Sequence, residues 1–581
     1  MKTPVRQSSM LVVAAVLTAC AAQQPEPPRP VEESARDQHV DAIGRPEVAA
    51  AEPDLSEIVV TGGRQARNAA SGPHGTLGKA AVSAPMVAYR MPMPIYQQPA
   101  NTERYEHRSE NPVHRAAEEP VSTFSIDVDT GAYANVRRFL NDGQLPPQDA
   151  VRVEEMINYF DYQYAPPATR EVPFKVATEL AHAPWNQDAW LLKVGIKGFE
   201  VSASERPPAN LVFLIDVSGS MESPDKLPLL KNAFRLLTDQ LTARDRVSMV
   251  VYAGNSGVVL QPTSGDQKQK IRDAIDRLEA GGSTNGGEGI QRAYQLAKAA
   301  HIDKGINRVV LATDGDFNVG TVNFEALVDM AERQRASGVA LTTLGFGTGN
   351  YNDQLLERLA DAGNGNYSYV DSLAEARKVL VSELSSTLFT IAKDVKIQVE
   401  FNPAEVAEYR LIGYENRMLA REDFNNDKVD AGDIGAGHRI TALYEIVPAG
   451  ANGRIDPLRY AAAQPAAIAD NGEIANVRLR YKLPDGDTSR LLEYPIARNT
   501  LVPAAKMSAD LRFAASVAAF GQVLRGGKYT GAFGYDEIVN LASSALGRDA
   551  DGYRREFVSL VRTAQALTPG DGAAQVGQIA R

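Results

Sequence analysis

Short apolar runs alternate with amphipathic segments through the centre of the chain, and this alternation restricts the fold more than any other feature. The apolar runs have the length of strands, and the segments between them have the length and periodicity of helices. Strands that alternate with helices form a parallel sheet with helices on both faces. We predict strands at residues 211–215, 247–252, 308–312, 341–345 and 367–370, and helices at 227–242, 268–278, 287–300, 324–337, 352–362 and 373–389.

Polar residues follow two of these predicted strands at the point where each strand ends. Asp216, Ser218 and Ser220 follow the first strand, and Asp314 follows the third. The ligand crevice of such a sheet lies at the carboxyl ends of its strands. A hard cation such as Mg²⁺ takes oxygen ligands and keeps some of its water. With Thr284, from a Gly-Gly-Ser-Thr-Asn loop, these residues are candidate ligands of Mg²⁺ or Mn²⁺.

The order of these elements resembles the metal-ion-dependent adhesion site of von Willebrand factor type A domains, over roughly residues 207–386. The resemblance implies a doubly wound, Rossmann-like α/β sheet. It also implies direct coordination by Asp216, Ser218, Ser220 and Thr284 in a ligand-bound state, with Asp314 bound directly or through water. The function implied is metal-dependent protein binding, in which an exposed acidic residue of a partner completes the coordination.

The regions on both sides of the central domain contain runs of period two, which is typical of antiparallel strands. Strands before and after the central domain are expected to pair in one sandwich, so that the domain is inserted in a discontinuous antiparallel β domain. Helices are predicted at the C-terminal end, with Ser508 as an N-cap. The block from residue 122 to residue 160 resembles a module that precedes the von Willebrand domain in bacterial envelope proteins.

These patterns divide the chain into six regions. They are a signal peptide (1–19), a disordered tether (20–118), an N-terminal module with β strands (119–206), a von Willebrand factor A domain (207–390), an antiparallel β domain (391–500) and a C-terminal helical region (501–581).

The first residues have the pattern of an export signal. The apolar stretch at residues 10–19 is too short to span a bilayer. It ends in Leu-Thr-Ala-Cys at Cys20, which resembles a bacterial lipobox and implies lipidation of that thiol. Ala21 follows the cysteine, and by the sorting logic of such lipoproteins this implies the outer membrane, facing the periplasm. We therefore expect an exported protein that contacts the membrane through an N-terminal lipid.

The tether is rich in Pro, Ala, Glu and Gln, a composition that buries too little apolar surface to fold. Residues 56–64, Ser-Glu-Ile-Val-Val-Thr-Gly-Gly-Arg, resemble the opening segment of TonB-dependent outer-membrane receptors. Such a run could add a strand to a partner of the TonB system or to an outer-membrane receptor. The alternative is a chance apolar island in the tether.

Two other segments suggest different chemistry. Asp127 and Asp129 follow an apolar strand and resemble the aspartyl motif of haloacid-dehalogenase-like phosphatases, but Gly131 stands where that motif has Thr. The alternative is a turn in which Asp129 hydrogen-bonds the helix that follows. We expect no enzyme activity, and a metal-dependent phosphohydrolase is the less favoured reading.

A second cation site is a hypothesis for the loop that contains Asp423, Asn425 and Asp427. Oxygen ligands at these spacings are similar to a Ca²⁺ loop. Lys428 takes the place of the sharp-turn glycine, and Ile434 takes the place of the last acidic ligand. The alternative is a polar hairpin loop, which Asn and Asp favour in any case.

Charge narrows the classes of partner. The net charge is −11, and no run of Lys and Arg occurs, so nucleic acid is not expected as a partner. The expected function is metal-dependent protein binding by an envelope-anchored lipoprotein. The alternative is a structural or assembly factor of the cell envelope whose metal only stabilises the fold.

Overall fold

The computed structural model describes residues 101–202, 204–253, 256–282, 286–315, 324–456 and 472–569. The predictions for Cys20, residues 56–64 and Thr284 therefore lie outside the described residues. Within the described ranges, no helix is both long enough and apolar enough to cross a membrane.

The chain first forms short strands and two helices that precede the central domain. In chain order these are β1 (His114–Arg115), β2 (Val121–Ser125), α1 (Gly131–Asn141), α2 (Val153–Asn158), β3 (Phe174–Ala183) and β4 (Asn186–Gly198).

The central domain alternates strands with helices, as predicted. Its elements are β5 (Ala209–Asp216), α3 (Leu227–Gln240), β6 (Arg246–Tyr252), β7 (Ser256–Ser264), α4 (Lys268–Asp276), α5 (Gly286–Ala299), β8 (Ile306–Thr313), α6 (Phe324–Arg335), β9 (Ala340–Phe346), α7 (Asp353–Ala362), β10 (Tyr367–Val370), α8 (Leu373–Arg377) and α9 (Leu384–Leu388).

The strands of the central domain form one sheet in the order β10-β9-β8-β5-β6-β7, and all neighbours are parallel except β6 and β7. Strands β5 and β8 are buried at every position, as expected of central strands covered on both faces. Helices α3, α4 and α8 pack on one face, and α5, α6 and α7 pack on the other. The doubly wound α/β sheet is therefore confirmed.

The chain continues into a second set of strands and a helical end. These elements are β11 (Thr390–Phe401), β12 (Val406–Ile412), β13 (Ile434–Gly435), β14 (Arg439–Pro448), β15 (Glu473–Lys482), β16 (Arg490–Ala497), β17 (Leu501–Val502), α10 (Ala509–Leu524), α11 (Tyr535–Ser543) and α12 (Tyr553–Leu567).

Strands from before and after the central domain share two sheets. One sheet has the order β1-β12-β14-β4-β3-β17, and the other has the order β13-β11-β15-β16 with β2 also paired to β11. Trp190 of β4 is opposite Ile446 of β14, and Phe124 of β2 is opposite Ile397 of β11. The two sheets share one apolar core. The predicted insertion of the central domain into a discontinuous antiparallel β domain is confirmed.

The C-terminal helices cover the outer face of the first of these sheets. Apolar residues of α10, α11 and α12 share a core with α1 and α2 and with Leu191 and Leu443 of the sheet. Ser508 Oγ accepts a 3.0 Å hydrogen bond from the backbone N–H of Leu511 at the start of α10. The predicted N-cap is confirmed.

A largely buried arginine in the loop after β12, Arg417, ties the central domain to the β domain. Arg417 donates to Asp127 at 3.1 Å and to Asp129 at 3.3 Å, both just after β2, and to Asp361 of α7 at 2.6 Å. One guanidinium therefore holds carboxylates from two parts of the fold.

Asp129 does not hydrogen-bond the helix that follows it, so that prediction is wrong. Its Oδ1 accepts the backbone N–H of Tyr367 at 2.9 Å. The backbone N–H of Ala132, at the start of α1, donates instead to Glu155 Oε2 at 2.8 Å. A carboxylate from α2 has taken the place that sequence proximity suggested for Asp129.

Two more arginines, one buried and one largely buried, repeat this arrangement. Arg137 of α1 binds both oxygens of Asp371 at 2.6 and 2.7 Å, just after β10. Arg152, just before α2, binds Asp353 at the start of α7. We call Arg137, Arg152 and Arg417 the arginine clamp. It fixes α7 and the end of β10 against the surrounding elements.

The last part of the predicted tether is ordered, which corrects its boundary. Within residues 101–118, β1 pairs with β12, and the N–H of Thr102 donates to Gly349 O at 2.7 Å. The backbone of Arg104 also forms an isolated parallel β-bridge with that of Asn352. The order of this polar segment comes from partners more than two hundred positions away in the chain, and its own composition gives no sign of them.

Candidate functional site

The carboxyl ends of two neighbouring strands bring the predicted site residues to one edge of the central sheet. Strands β5 and β8 pair in parallel, with Ile215 opposite Ala312, so Asp216 and Asp314 both lie at this edge. Both carboxylates are fully buried. We call Asp216, Ser218, Ser220 and Asp314 the strand-end site.

Hydrogen bonds fix the carboxylate of Asp216. Its Oδ1 accepts the N–H of Ser218 at 2.9 Å, and its Oδ2 accepts the hydroxyls of Thr313 at 2.9 Å and Tyr252 at 3.2 Å. Burial raises the pKa of Asp216 to about 6, and Asp314 adds to the rise while the bonds from Ser218 and Thr313 oppose it. The side chain is held in one orientation.

The two serines of the loop after β5 lie side by side. Ser218 Oγ and Ser220 Oγ are 3.0 Å apart and share a hydrogen bond. Ser218 is buried, whereas Ser220 is exposed. The backbone N–H of Gly219 donates to Gly282 O at 3.1 Å. Two hydroxyls therefore stand at the rim of the crevice beside the loop at residues 281–282.

A lysine that the sequence analysis did not identify binds Asp314. Lys226 Nζ donates to Asp314 Oδ2 at 2.9 Å, and Asn350 Nδ2 donates to the same oxygen at 3.0 Å. Burial acts to raise the pKa of Asp314, but Lys226, Asn350 and Ser220 outweigh it and hold this pKa below its usual range. Asp314 is therefore a charged carboxylate with a cation already beside it.

The missed residues differ in how visible they are in the sequence. Thr313 directly precedes Asp314, and Tyr252 ends the strand next to β5, so the sheet order alone would have suggested both. Lys226 and Asn350 gave no such signal, because a lysine before a helix and an asparagine in a Gly-rich loop are ordinary surface residues.

The donors at this edge suit a hard divalent cation. They are carboxylate and hydroxyl oxygens, which Mg²⁺ and Mn²⁺ prefer. Lys226 already places a positive charge beside Asp314. Asp216, Ser218, Ser220 and Asp314 would hold the metal, and Thr284, outside the described residues, is the further ligand that the sequence suggested. In the described parts of the chain, no group of three or more His, Cys, Asp and Glu side chains could hold a metal ion.

The loop proposed for Ca²⁺ is engaged by protein donors. Asn425 Oδ1 accepts Arg480 at 2.8 Å, and Asp427 Oδ2 accepts the N–H of Ser489 at 3.3 Å. The carbonyl of Asp423 accepts Lys396 Nζ at 3.0 Å. These contacts bind each of the three residues to a different group of the protein, as a polar loop between strands does.

Three family models match the chain. The model of the von Willebrand factor type A domain matches residues 210–382, a model described as von Willebrand factor matches residues 99–193, and the model described as uncharacterized protein YfbK, C-terminal, matches residues 386–567. The central domain is therefore a von Willebrand factor type A domain.

Relatives match the chain over different lengths. The uncharacterized protein YfbK of Escherichia coli K12 is 50% identical over 474 residues, which cover 80% of this chain and 82% of that protein. The human inter-alpha-trypsin inhibitor heavy chain H3 is 25% identical over 261 residues, which cover 41% of this chain and 28% of that protein. A solved structure, von Willebrand factor type A from Catenulispora acidiphila, covers 68% of this chain and 91% of its own at 17% identity, with a TM-score of 0.38.

Proposed function

This chain belongs to the family of the uncharacterized bacterial protein YfbK, and from that premise we propose that it is a binding protein of the cell envelope and not an enzyme. In this proposal its von Willebrand factor type A domain holds Mg²⁺ or Mn²⁺ at the strand-end site. A carboxylate of a partner protein then serves as a further ligand of the cation.

The observation that carries the proposal is the geometry of the strand-end site. Two neighbouring strands deliver Asp216 and Asp314 to one sheet edge, and two serine hydroxyls 3.0 Å apart stand beside them. Asp216 is oriented by three hydrogen bonds in which it is the acceptor. Oxygen donors held in this way are suited to a cation that keeps positions open for an outside ligand.

The ligand set determines which partner chemistry fits. When bound, a divalent cation supplies a Lewis acid that attracts an anionic oxygen. Ser218 and Ser220 contribute neutral oxygens and so leave part of the positive charge uncompensated. Ser220 is exposed, so the site opens toward a partner surface. An acidic side chain is the protein group that matches this site in charge and donor type.

The competing enzyme hypothesis rests on Asp127 and Asp129, and their contacts do not favour it. Asp127 Oδ2 accepts Arg417 Nε, and Asp129 is bound both by Arg417 and by the N–H of Tyr367. Both side chains are buried. A carboxylate paired with an arginine is a poor nucleophile, so we assign these residues a structural role as partners of Arg417 in the arginine clamp.

The proposed location is the outer membrane, through a lipid on Cys20. The support is the lipobox-like sequence that ends at this residue. Cys20→Ser should shift the protein from the membrane fraction to the soluble fraction of lysed cells. Retention of Cys20→Ser in salt-washed membranes would contradict the anchor and leave the metal proposal untouched.

Metal binding is tested by calorimetric titration of Mn²⁺ and Mg²⁺ into the exported protein. We expect wild type to bind one cation and Asp216→Asn to lose at least about tenfold in affinity, because a charged ligand is replaced by a neutral one of the same shape. Asp127→Asn is the matched control, since it removes a buried carboxylate that is bound by the arginine clamp. Its affinity for Mn²⁺ and Mg²⁺ should equal that of wild type. Equal affinity in wild type and Asp216→Asn would overturn the proposal.

Partner binding separates the proposal from the alternative of a structural metal. Immobilised wild type and Asp216→Asn are exposed to envelope extract with Mg²⁺ or with a chelator. The proposal expects proteins retained only by wild type in Mg²⁺. A structural or assembly factor would instead retain the same proteins under both conditions, although Mg²⁺ would raise the melting temperature in either case.

A further inference from the structure

Lys226 forms a closed hydrogen-bonded ring with two residues at the strand-end site. Its Nζ donates to Asp314 Oδ2 and to Asn350 Oδ1, each at 2.9 Å, and Asn350 Nδ2 donates to Asp314 Oδ2 at 3.0 Å. Lys226 is only 6% exposed. Burying an ammonium group is costly unless a carboxylate compensates it, and Asp314 provides that compensation.

The backbone at Gly347 leaves room for the stem of this lysine. The stem of Lys226 passes over Gly347, where a methyl group would lie 2.2 Å from Cε and 2.3 Å from Cγ. Gly347 also has a φ of +73°, which L side chains rarely adopt. A glycine at this position therefore permits the path by which the ammonium group reaches Asp314.

The charges of the site point to a role for the lysine. Asp216 and Asp314 with Lys226 carry one net negative charge when both carboxylates are ionised. A divalent cation would convert that charge to one net positive charge, which attracts an anion. Without Lys226, the same cation would leave the site neutral.

We propose that Lys226 is an internal counter-ion of the strand-end site: it stabilises Asp314 when no metal is bound, lowers the affinity for a divalent cation, and preserves the positive charge that selects an anionic ligand. This inference rests on the proposed function of the same site. It adds that the site is weak for metal alone and gains binding energy when metal and carboxylate bind together.

A lysine that only stabilises the loop around Asn350 would behave differently. Its removal would lower stability in every buffer and would leave the affinity for metal unchanged or reduced. An internal counter-ion predicts the opposite change in affinity, because its removal takes a positive charge away from beside the metal. It also predicts that metal restores the stability lost on its removal.

The experiment is a titration of Mn²⁺ into wild type, Lys226→Met and Lys226→Gln, with a melting curve for each in chelator and in Mn²⁺. Both variants should bind Mn²⁺ roughly tenfold more tightly than wild type or better, since one repelling charge is gone. Lys226→Gln keeps an N–H group that can donate a hydrogen bond to Asp314. It therefore replaces Lys226→Met in the titration if Lys226→Met does not fold. Lys231→Met is the matched control, because this lysine of α3 binds the carbonyls of Asp276 and Leu278 and not the site.

A second experiment measures the binding of an anion to the metal-loaded site. Acetate represents the carboxylate of the partner, and acetamide is the neutral control of similar shape. Displacement of water from bound Mn²⁺ is followed by proton relaxation. We expect acetate to displace water at lower concentration in wild type than in Lys226→Gln, and acetamide to show no such difference.

The outcomes separate this inference from the function on which it rests. If neither wild type nor the Lys226 variants bind Mn²⁺, the proposed function is overturned. If wild type binds Mn²⁺ while folded Lys226→Gln binds it equally or more weakly, the inference alone is overturned. Equal acetate binding by wild type and Lys226→Gln would refute the selection of an anionic ligand.

Discussion

Buried carboxylates of the von Willebrand factor type A domain are paired with different cations in two regions: with a lysine of the domain itself in one, and with arginines from the flanking elements in the other. At the strand-end site a lysine, Lys226, binds Asp314 through one 2.9 Å contact. At the arginine clamp, a guanidinium group binds more than one carboxylate, as Arg137 does with both oxygens of Asp371 and with Glu375.

The choice of cation decides whether a contact is exchangeable. A guanidinium matches a carboxylate with two parallel hydrogen bonds and is always charged, so it suits a permanent contact between parts of a fold. An ammonium is a point charge on a flexible stem, which another cation can replace. The clamp is therefore suited to assembly, and the strand-end site is suited to exchange.

One loop joins the two regions. Asn350 binds Asp314 at one end of the loop, and Asp353 binds Arg152 at the other. Next to Asn350, the N–H of Gly349 donates to Glu103 Oε1 at 2.9 Å. Permanent contacts thus hold the loop that supplies an amide to the exchangeable site, which keeps that amide in place.

The largest effect is expected from removal of the clamp arginine that ties the central domain to the β domain. Arg417→Met would leave Asp127, Asp129 and Asp361 without their shared cation. Loss of one partner of a buried ion pair costs about 3–5 kcal/mol. Chemical denaturation of wild type and variant at neutral pH measures this change in the free energy of unfolding.

The control for this prediction is an ion pair at the surface of the central domain. Arg272 binds Asp239, and both side chains are well exposed, at 39% and 51%. Arg272→Met should change the free energy of unfolding by about 0.5 kcal/mol or less. A similar small loss in Arg417→Met would mean that the clamp does not hold the domains together.

A smaller effect is expected from Glu154, a buried carboxylate beside the arginine clamp that forms no ion pair with any arginine that the structure describes. Burial raises the pKa of Glu154 to about 8, and Glu415, Asp127 and Glu155 add to the rise. Because the folded protein keeps this proton longer than the unfolded chain, its contribution to stability is full below pH 4.5 and is lost as the pH rises toward 8.

Glu154→Gln removes the loss of stability that ionisation of this group causes as the pH rises. The variant should be more stable than wild type at pH 8 by on the order of 2 kcal/mol, and the difference should shrink toward pH 5. Denaturation curves at a series of pH values measure it. Glu325→Gln, which changes a glutamate 64% exposed on α6, should keep the wild-type pH dependence. A constant difference between wild type and Glu154→Gln would exclude titration of this group as the cause.

The sequence predicted the helices and strands whose formation depends on the local pattern of apolar and polar residues. The apolar runs at residues 211–215 and 309–312, which became β5 and β8, contain no polar residue, so their burial was visible. Strand β7 was missed, because Ser256, Gly257 and Pro262 are typical of a loop and the strand is defined by its antiparallel pairing with β6 at the sheet edge. The helix predicted at residues 373–389 is interrupted by a π-helical turn at Lys378–Ser382.

The same limit applies to the strand-end site. Asp216 and Asp314 were predictable, because both follow apolar strands of a parallel sheet. The cation beside them was not, because the position of Lys226 depends on Gly347, more than one hundred residues away, leaving room for its stem. Sequence pattern therefore identified the anions of the site, and only the tertiary structure identified their counter-ion.

The smallest effect on stability is expected at the rim of the strand-end site, where the effect on metal binding is large. Ser220 is exposed, and its hydroxyl contacts Ser218 Oγ. Ser220→Ala should change the free energy of unfolding by no more than about 0.5 kcal/mol, as exposed substitutions do, yet weaken Mn²⁺ binding by roughly tenfold through loss of an oxygen ligand. Ser337→Ala, at an exposed serine that caps the end of α6, should leave Mn²⁺ affinity unchanged. Ser220→Ala could instead lower the free energy of unfolding and leave the affinity for Mn²⁺ unchanged. That result would mean that Ser220 is a structural residue and not a ligand of the metal.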